Sequence, residues 1–166
     1  MKNKGFTLIE LMVVVIIIAV LAMFAFSYYR KAQQDSEYDR ARLVLQEIGS
    51  GYERMQLEQP GTDLHPGGAI TSNTVGGTCD RTGDVTNLMS CGYLERKAWD
   101  NFNYNFYLLG TSGSAGGKPA VASMTAKSSA AGSKYGSGTI AAIYQPGTGV
   151  CDVQKPNEPA PSATCN

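Results

Sequence analysis

From Leu11 to Phe26 the chain reads Leu-Met-Val-Val-Val-Ile-Ile-Ile-Ala-Val-Leu-Ala-Met-Phe-Ala-Phe, without one charged or amide side chain. Val and Ile are mediocre helix formers in water. In lipid that ranking matters little, because a lone segment satisfies its backbone hydrogen bonds there only as a helix. Phe6 to Tyr29 would span roughly 36 Å at ~1.5 Å per residue, enough to cross a hydrocarbon layer of ~30 Å. Glu10 is the one acid near the start of this span. A carboxylate is expensive to bury in a membrane, so its presence marks a functional position.

Charge and cysteine content bound the chain beyond the span. Fourteen basic and fourteen acidic residues balance, so whole-chain charge argues neither for nor against nucleic acid. The four cysteines, Cys79, Cys91, Cys151 and Cys165, all lie beyond the apolar run. An even number in an exported head reads as two disulfides in an oxidising compartment. Lys2 and Lys4 precede the span and favour a cytoplasmic N-terminus. Arg30 and Lys31 follow it and oppose that orientation, so charge alone does not decide. No small-residue cleavage site ends the apolar run, which sets it apart from an ordinary secretory signal.

The helix is expected to continue past the membrane. No proline interrupts Ser27 to Glu58, and Tyr38, Ala41, Leu45, Ile48, Tyr52 and Met55 recur at spacings of three and four, one apolar stripe of a helix. Pro60-Gly61 supplies a stop. Phe6 to Glu58 as one helix would be about 80 Å long. Gly49 and Gly51 mark either close packing or a weakened helix end.

Residues 59–101 read as a long connecting loop, with a helical turn expected near Val85 to Met89 and Cys79–Cys91 closing a short ring worth ~3 kcal/mol. Strands are expected at Phe102 to Leu108, with Phe102, Tyr104, Phe106 and Leu108 on one face, at Val121 to Ala126 and at Thr139 to Tyr144. The simplest topology is an antiparallel meander of about three to four strands packed on the helix stripe, an α+β fold. A Cys151–Cys165 bridge would staple the tail that holds Pro156, Pro159 and Pro161. Trp99 is expected to anchor the loop on the head.

Gly5-Phe6-Thr7-Leu8-Ile9-Glu10 followed by Leu11-Met12-Val13-Val14-Val15 resembles the leader and first helix of type IV pilins, densely so over residues 4–30. The resemblance implies a leader at residues 1–5, an assembly half of the helix at 6–29, an amphipathic half at 30–58, an αβ-loop at 59–101, and a sheet with a C-terminal disulfide loop at 102–166. It implies that a prepilin peptidase cuts between Gly5 and Phe6 and methylates the new Phe6 amine. Glu10 matches the family's glutamate, expected to receive the amine of a neighbouring subunit. Such a precursor waits in the inner membrane, and assembly machinery then moves it into a surface filament of pilin subunits. Removing Lys2 and Lys4 leaves 12 basic against 14 acidic side chains.

Pilins often carry Gly at the place of Ala19 and Pro at the place of Ser27. Their absence predicts an unbroken helix there and points toward a minor pilin. Tyr52-Glu53-Arg54-Met55 and the later strand pattern look like minor pilins related to the DNA-uptake pilin of competent bacteria. Lys118, Lys127 and Lys134, among tyrosines and with no acid between residues 101 and 151, are the candidates for a DNA contact, though a solvated face explains them too. A DNA-receptor pilin and a pseudopilin of type II secretion remain the alternatives. Catalysis, cofactors and metals find little support: His65 is the single histidine, the cysteines lack C-x-x-C spacing, and Asp80 with Asp84 is a thin basis for calcium.

Overall fold

The computed structural model describes residues 6–60, 68–71, 79, 85–95, 99–110, 113–127, 138–156 and 165. One helix, α1 (Leu8–Glu58), dominates it. Thr7 caps its start, and its last turn closes with the Gln59 N–H donating to the Met55 carbonyl (2.8 Å), just before Pro60. The helix runs unbroken through Ala19–Ser27, where neither Gly nor Pro interrupts it.

The two halves of α1 have different surroundings. Every residue from Phe6 to Gln33 is exposed. From Tyr38 onward a stripe of Tyr38, Ala41, Val44, Leu45, Ile48, Tyr52 and Met55 is buried, joined by Gly49 and Gly51. The expected periodicity therefore faces the core, and Val44 and the two glycines widen it into a band broad enough to back a sheet.

That sheet has five antiparallel strands: β1 (Gly68–Ile70), β2 (Tyr104–Leu108), β5 (Ala122–Ala126), β6 (Ile140–Gln145) and β7 (Gly149–Asp152), in that spatial order. A two-stranded ribbon, β3 (Ser114–Ala115) with β4 (Lys118–Pro119), interrupts the meander between β2 and β5. The sequence pattern predicts three or four strands. The additional ones are the two edges, β1 and β7. They are three and four residues long and contain glycine, too short to display an alternating pattern, and β1 lies in the stretch expected to be loop. Phe102 precedes β2 rather than belonging to it. The alternation itself holds, with Tyr104, Phe106 and Leu108 turned to the core.

Two apolar clusters flank the sheet. The larger lies between α1 and the sheet and takes in Leu88 of α2 (Val85–Ser90) and Trp99 of a 3₁₀ turn (Trp99–Asn101). Trp99 meets Phe106 edge to face with centroids 5.8 Å apart, which ties the loop before β2 onto the core. The smaller cluster, Ala115, Ala120, Ile143, Cys151 and Cys165, lies on the opposite face under the ribbon. Strand β6 is consequently buried on both faces and reads as a near-continuous apolar run, not an alternating one.

Candidate assembly site

The start of α1 is built by two residues. Thr7 sits in extended backbone as the N-cap, and Glu10 occupies the third helical position, a capping box. The Thr7 N–H and the Thr7 hydroxyl donate to Glu10 Oε2 (2.9 and 2.8 Å), and the Glu10 N–H donates to Thr7 Oγ1 (3.4 Å). The Glu10 carboxylate is thus held at the outer rim of the helix mouth, at its dipole-positive end. Phe6 is 80% exposed beside it. Gly5 lies outside the described residues. Phe6, Ile9, Glu10, Val13 and Val14 line an open groove along this first turn. The first half of the helix is apolar and long enough to cross a membrane, and none of it is buried in the subunit.

The other end of α1 is fixed to the head by acids and phenols. Arg42 Nε donates to Asp152 Oδ1 (2.9 Å), and the buried Tyr38 hydroxyl donates to the same oxygen (3.0 Å) and lies 3.2 Å from the Ala141 carbonyl. Ala141 is skipped in the β5–β6 register, where Met124 pairs with Ala142 and Thr125 with Ile140. Its carbonyl also accepts from the Val153 and Gln154 N–H groups (3.0 and 2.9 Å). The bulge is therefore the point where helix, sheet and C-terminal segment meet. Burial first, and the Asp152 charge second, raise the Tyr38 phenol well above its ordinary range.

Farther along, Glu53 accepts from the Tyr144 hydroxyl and the Gly147 N–H, both at 2.9 Å. Burial, then the bond to Glu53, push the Tyr144 phenol up to about 12. Burial, then the charge of Glu37, push Tyr104 to about 12. Glu37 itself accepts from Asn103 Nδ2 (2.6 Å). At the end of the helix Glu58 accepts from Arg54 Nε (3.0 Å) and the Tyr93 hydroxyl (2.8 Å), the Arg54 bond first holding its carboxyl below the usual range.

The two described lysines of the DNA candidates are engaged with backbone. Lys118 Nζ donates to the Cys165 carbonyl, and Lys127 Nζ to the Phe102 carbonyl (2.7 Å). Lys118 lies in β4, and Lys127 directly follows β5. Lys134 lies outside the described residues, as do His65, Asp80 and Asp84. Cys79 is bonded to Cys91 and Cys151 to Cys165, with Cα atoms 4.9 and 5.4 Å apart. Among the described residues no three His, Cys, Asp or Glu side chains converge on a metal-sized site.

Sequence reasoning places Arg42 and Glu53 on the polar faces of the helix without giving them a partner, and it passes over Asp152. Arg42 follows the stripe residue Ala41, and Glu53 follows Tyr52. An Arg or Glu next to a buried helix position is a visible signal. Asp152, next to Cys151 in an edge strand, offers none until the sheet order is known.

Residues 1–26 match the family described as the prokaryotic N-terminal methylation motif. Neither a curated protein nor a solved structure matches the chain. The motif, the exposed apolar helix and the sheet-backed α+β head together support a type IV pilin-like prepilin.

Proposed function

We propose that the chain is a structural subunit of a type IV pilus, cut between Gly5 and Phe6, N-methylated on Phe6, and polymerised through α1. The observation that carries this reading is the division of α1 itself. Its first half is apolar and exposed, with one carboxylate at its mouth, while its second half is built into the core of the head. A chain folded this way has one large surface that water cannot satisfy, and it needs either lipid or copies of the same segment. Glu10 is then the register device. The new ammonium on Phe6 of one subunit reaches the Glu10 carboxylate of the next, offsetting the cost of enclosing either charge among apolar helices.

The subunit is read as a minor pilin, held in the inner membrane as precursor and carried to the cell surface with its head outward. Prepilin peptidase, the inner-membrane assembly machinery and other pilin subunits are its partners. The backbone engagement of Lys118 and Lys127 supports a scaffolding part for both residues.

Mass spectrometry of filaments sheared from cells tests the proposal. The expected result is a chain that begins at N-methylated Phe6 and is present in the filament fraction at low abundance. A chain found only in the membrane fraction, or one that retains Lys2 and Lys4, would overturn it. A deletion strain separates the alternatives: loss of secretion with pili intact favours a pseudopilin, and loss of transformation with pili intact favours a DNA receptor.

A further inference from the structure

The apolar part of α1 ends in Tyr28-Tyr29-Arg30-Lys31, and all four residues are exposed. Successive residues of an α-helix step round its axis by about 100°, at 3.6 residues per turn. Four in a row therefore encircle the helix within a rise of about 5 Å. They form a closed collar of two phenols and two cations, not a stripe on one side. From Leu8 to Tyr28 the helical rise is about 30 Å, close to the thickness of a bilayer's hydrocarbon core. Glu10 is the one charged side chain between them. The Arg30 guanidinium carbon lies 5.6 Å from the centroid of the Phe26 ring, one turn back toward the apolar segment. Its charge is thus drawn down to the edge of the apolar region, as a cation near an interface does when its stem lies along apolar surface.

We infer that Tyr28, Tyr29, Arg30 and Lys31 are a phospholipid-headgroup anchor that fixes the depth of the waiting subunit in the membrane, with lipid phosphate as the ligand of Arg30 and Lys31. This rests on the reading of the chain as a membrane-held subunit. The charge of the collar is what selects lipid over a second copy of this helix. Arg30 and Lys31 stand about 100° apart on one side of the helix, and a second copy at the same level would bring the same two cations to them and not a counter-charge. Headgroups surround a single helix on all sides, and their phosphates are the complement that two cations at this level need. The phenols add the usual preference of tyrosine for the boundary between hydrocarbon and water. The anchor sits at the end of the span opposite Glu10, next to the head. It therefore sets how far the head stands from the membrane surface before a subunit leaves the bilayer.

Spin-label depth measurement on the full chain tests the anchor. All four native cysteines are paired, so Ala32→Cys or Ile17→Cys adds a unique thiol. Each labelled protein is placed, at high dilution, in vesicles of equal parts phosphatidylcholine and phosphatidylglycerol, and oxygen and a water-soluble nickel chelate report depth. The label at position 32 should lie at headgroup level. In the variant Tyr28→Leu/Tyr29→Leu/Arg30→Leu/Lys31→Leu it should sink toward hydrocarbon by about one helical turn, ~5 Å, with Trp99 fluorescence reporting an unchanged head. A label at position 32 that keeps its depth in this variant overturns the anchor while leaving the membrane reading intact. Spin–spin broadening at position 32 in the dilute vesicles would assign the collar to helix pairing and overturn it as well. A label at position 17 that is open to the nickel chelate would overturn the membrane reading and the anchor together.

Discussion

Gly49 of the helix lies under the ring of Tyr144 from β6. A Cβ added to Gly49 would meet Tyr144 Cγ at 2.1 Å and Cδ1 at 2.2 Å. The close approach lets the sheet settle against the buried stripe of α1, and it lets the Tyr144 hydroxyl reach Glu53. Gly51 works the same way one half-turn on, where an added Cβ would lie 2.6 Å from the Tyr93 carbonyl oxygen. Of the two meanings open to these glycines in the sequence, close packing is the one realised.

Gly49→Ala should therefore destabilise the head although alanine is the better helix former. The propensity gain is at most about 1 kcal/mol, and overpacking a filled site typically costs about 1–3 kcal/mol. Overpacking should win, because the ring that would have to move is buried and tied at its hydroxyl to Glu53. A net loss of about 1–2 kcal/mol is expected from urea unfolding followed by Trp99 fluorescence. Gly49→Ala combined with Tyr144→Ala should cost less than the two changes added together, since truncating the ring opens the space that the methyl group needs. Additive losses would mean that the contact does not govern the packing.

The Arg42–Asp152 pair should matter mainly through the position of Asp152, which holds the C-terminal segment against α1. Arg42 is 39% exposed, and the Asp152 side chain is 15% exposed, so water screens much of the attraction. The coupling in a double-mutant cycle with Arg42→Ala and Asp152→Ala should be about 0.5–1 kcal/mol. Asp152→Ala alone should cost more, about 1–3 kcal/mol, because the buried Tyr38 hydroxyl loses its better acceptor and keeps only the Ala141 carbonyl. Equal losses for the two single variants would show that Tyr38 contributes nothing to the junction.

How much of the fold is legible in the sequence depends on what each element needs. The long helix is readable because both its requirements are local: apolar residues in succession for the first half, and a 3.6-residue period for the second. Glu10 stands out as the one charge in an uncharged span. Strand β2 is readable from the alternation of Tyr104, Phe106 and Leu108. Strand β6 is visible as an apolar stretch, but its double burial depends on the ribbon and the Cys151–Cys165 segment that cover its outer face, and those are non-local. Edge strands β1 and β7 owe their existence to pairing with β2 and β6 and to nothing in their own composition. The polar junctions belong to the same class. Tyr38 and Asp152 are 114 residues apart, and no local pattern links them.

Alkaline pH should unfold the head, and the direction is set by the tyrosines. Tyr104 and Tyr144 are held at about 12 in the fold, against about 10 for an unfolded phenol. The folded state therefore keeps its protons where the unfolded state has released them. This contribution is fully present below pH 10 and is lost progressively as pH rises from about 10 to about 12. The urea midpoint should fall across that window, and Tyr104→Phe, which cannot ionise, should flatten the fall. A midpoint independent of pH between 10 and 12 would show that the phenols ionise as freely inside the fold as outside.

Glu10 should separate assembly from folding. Its contacts are with Thr7, and no described residue before Tyr38 is buried. Glu10→Ala should therefore leave the urea midpoint of the head and the Trp99 signal unchanged. It removes the acceptor proposed for a neighbour's Phe6 ammonium, so filaments recovered by shearing should lose the subunit while the membrane fraction keeps it. Glu10→Gln sharpens the distinction. The amide retains an acceptor oxygen for the Thr7 N–H and hydroxyl, so the helix start stays capped, yet it offers no charge to an incoming ammonium. If capping were the whole role of Glu10, Glu10→Gln would assemble normally. If charge pairing sets the register, Glu10→Gln should fail nearly as badly as Glu10→Ala. A normal level of the Gln variant in sheared filaments would remove the charge pair from the account of assembly.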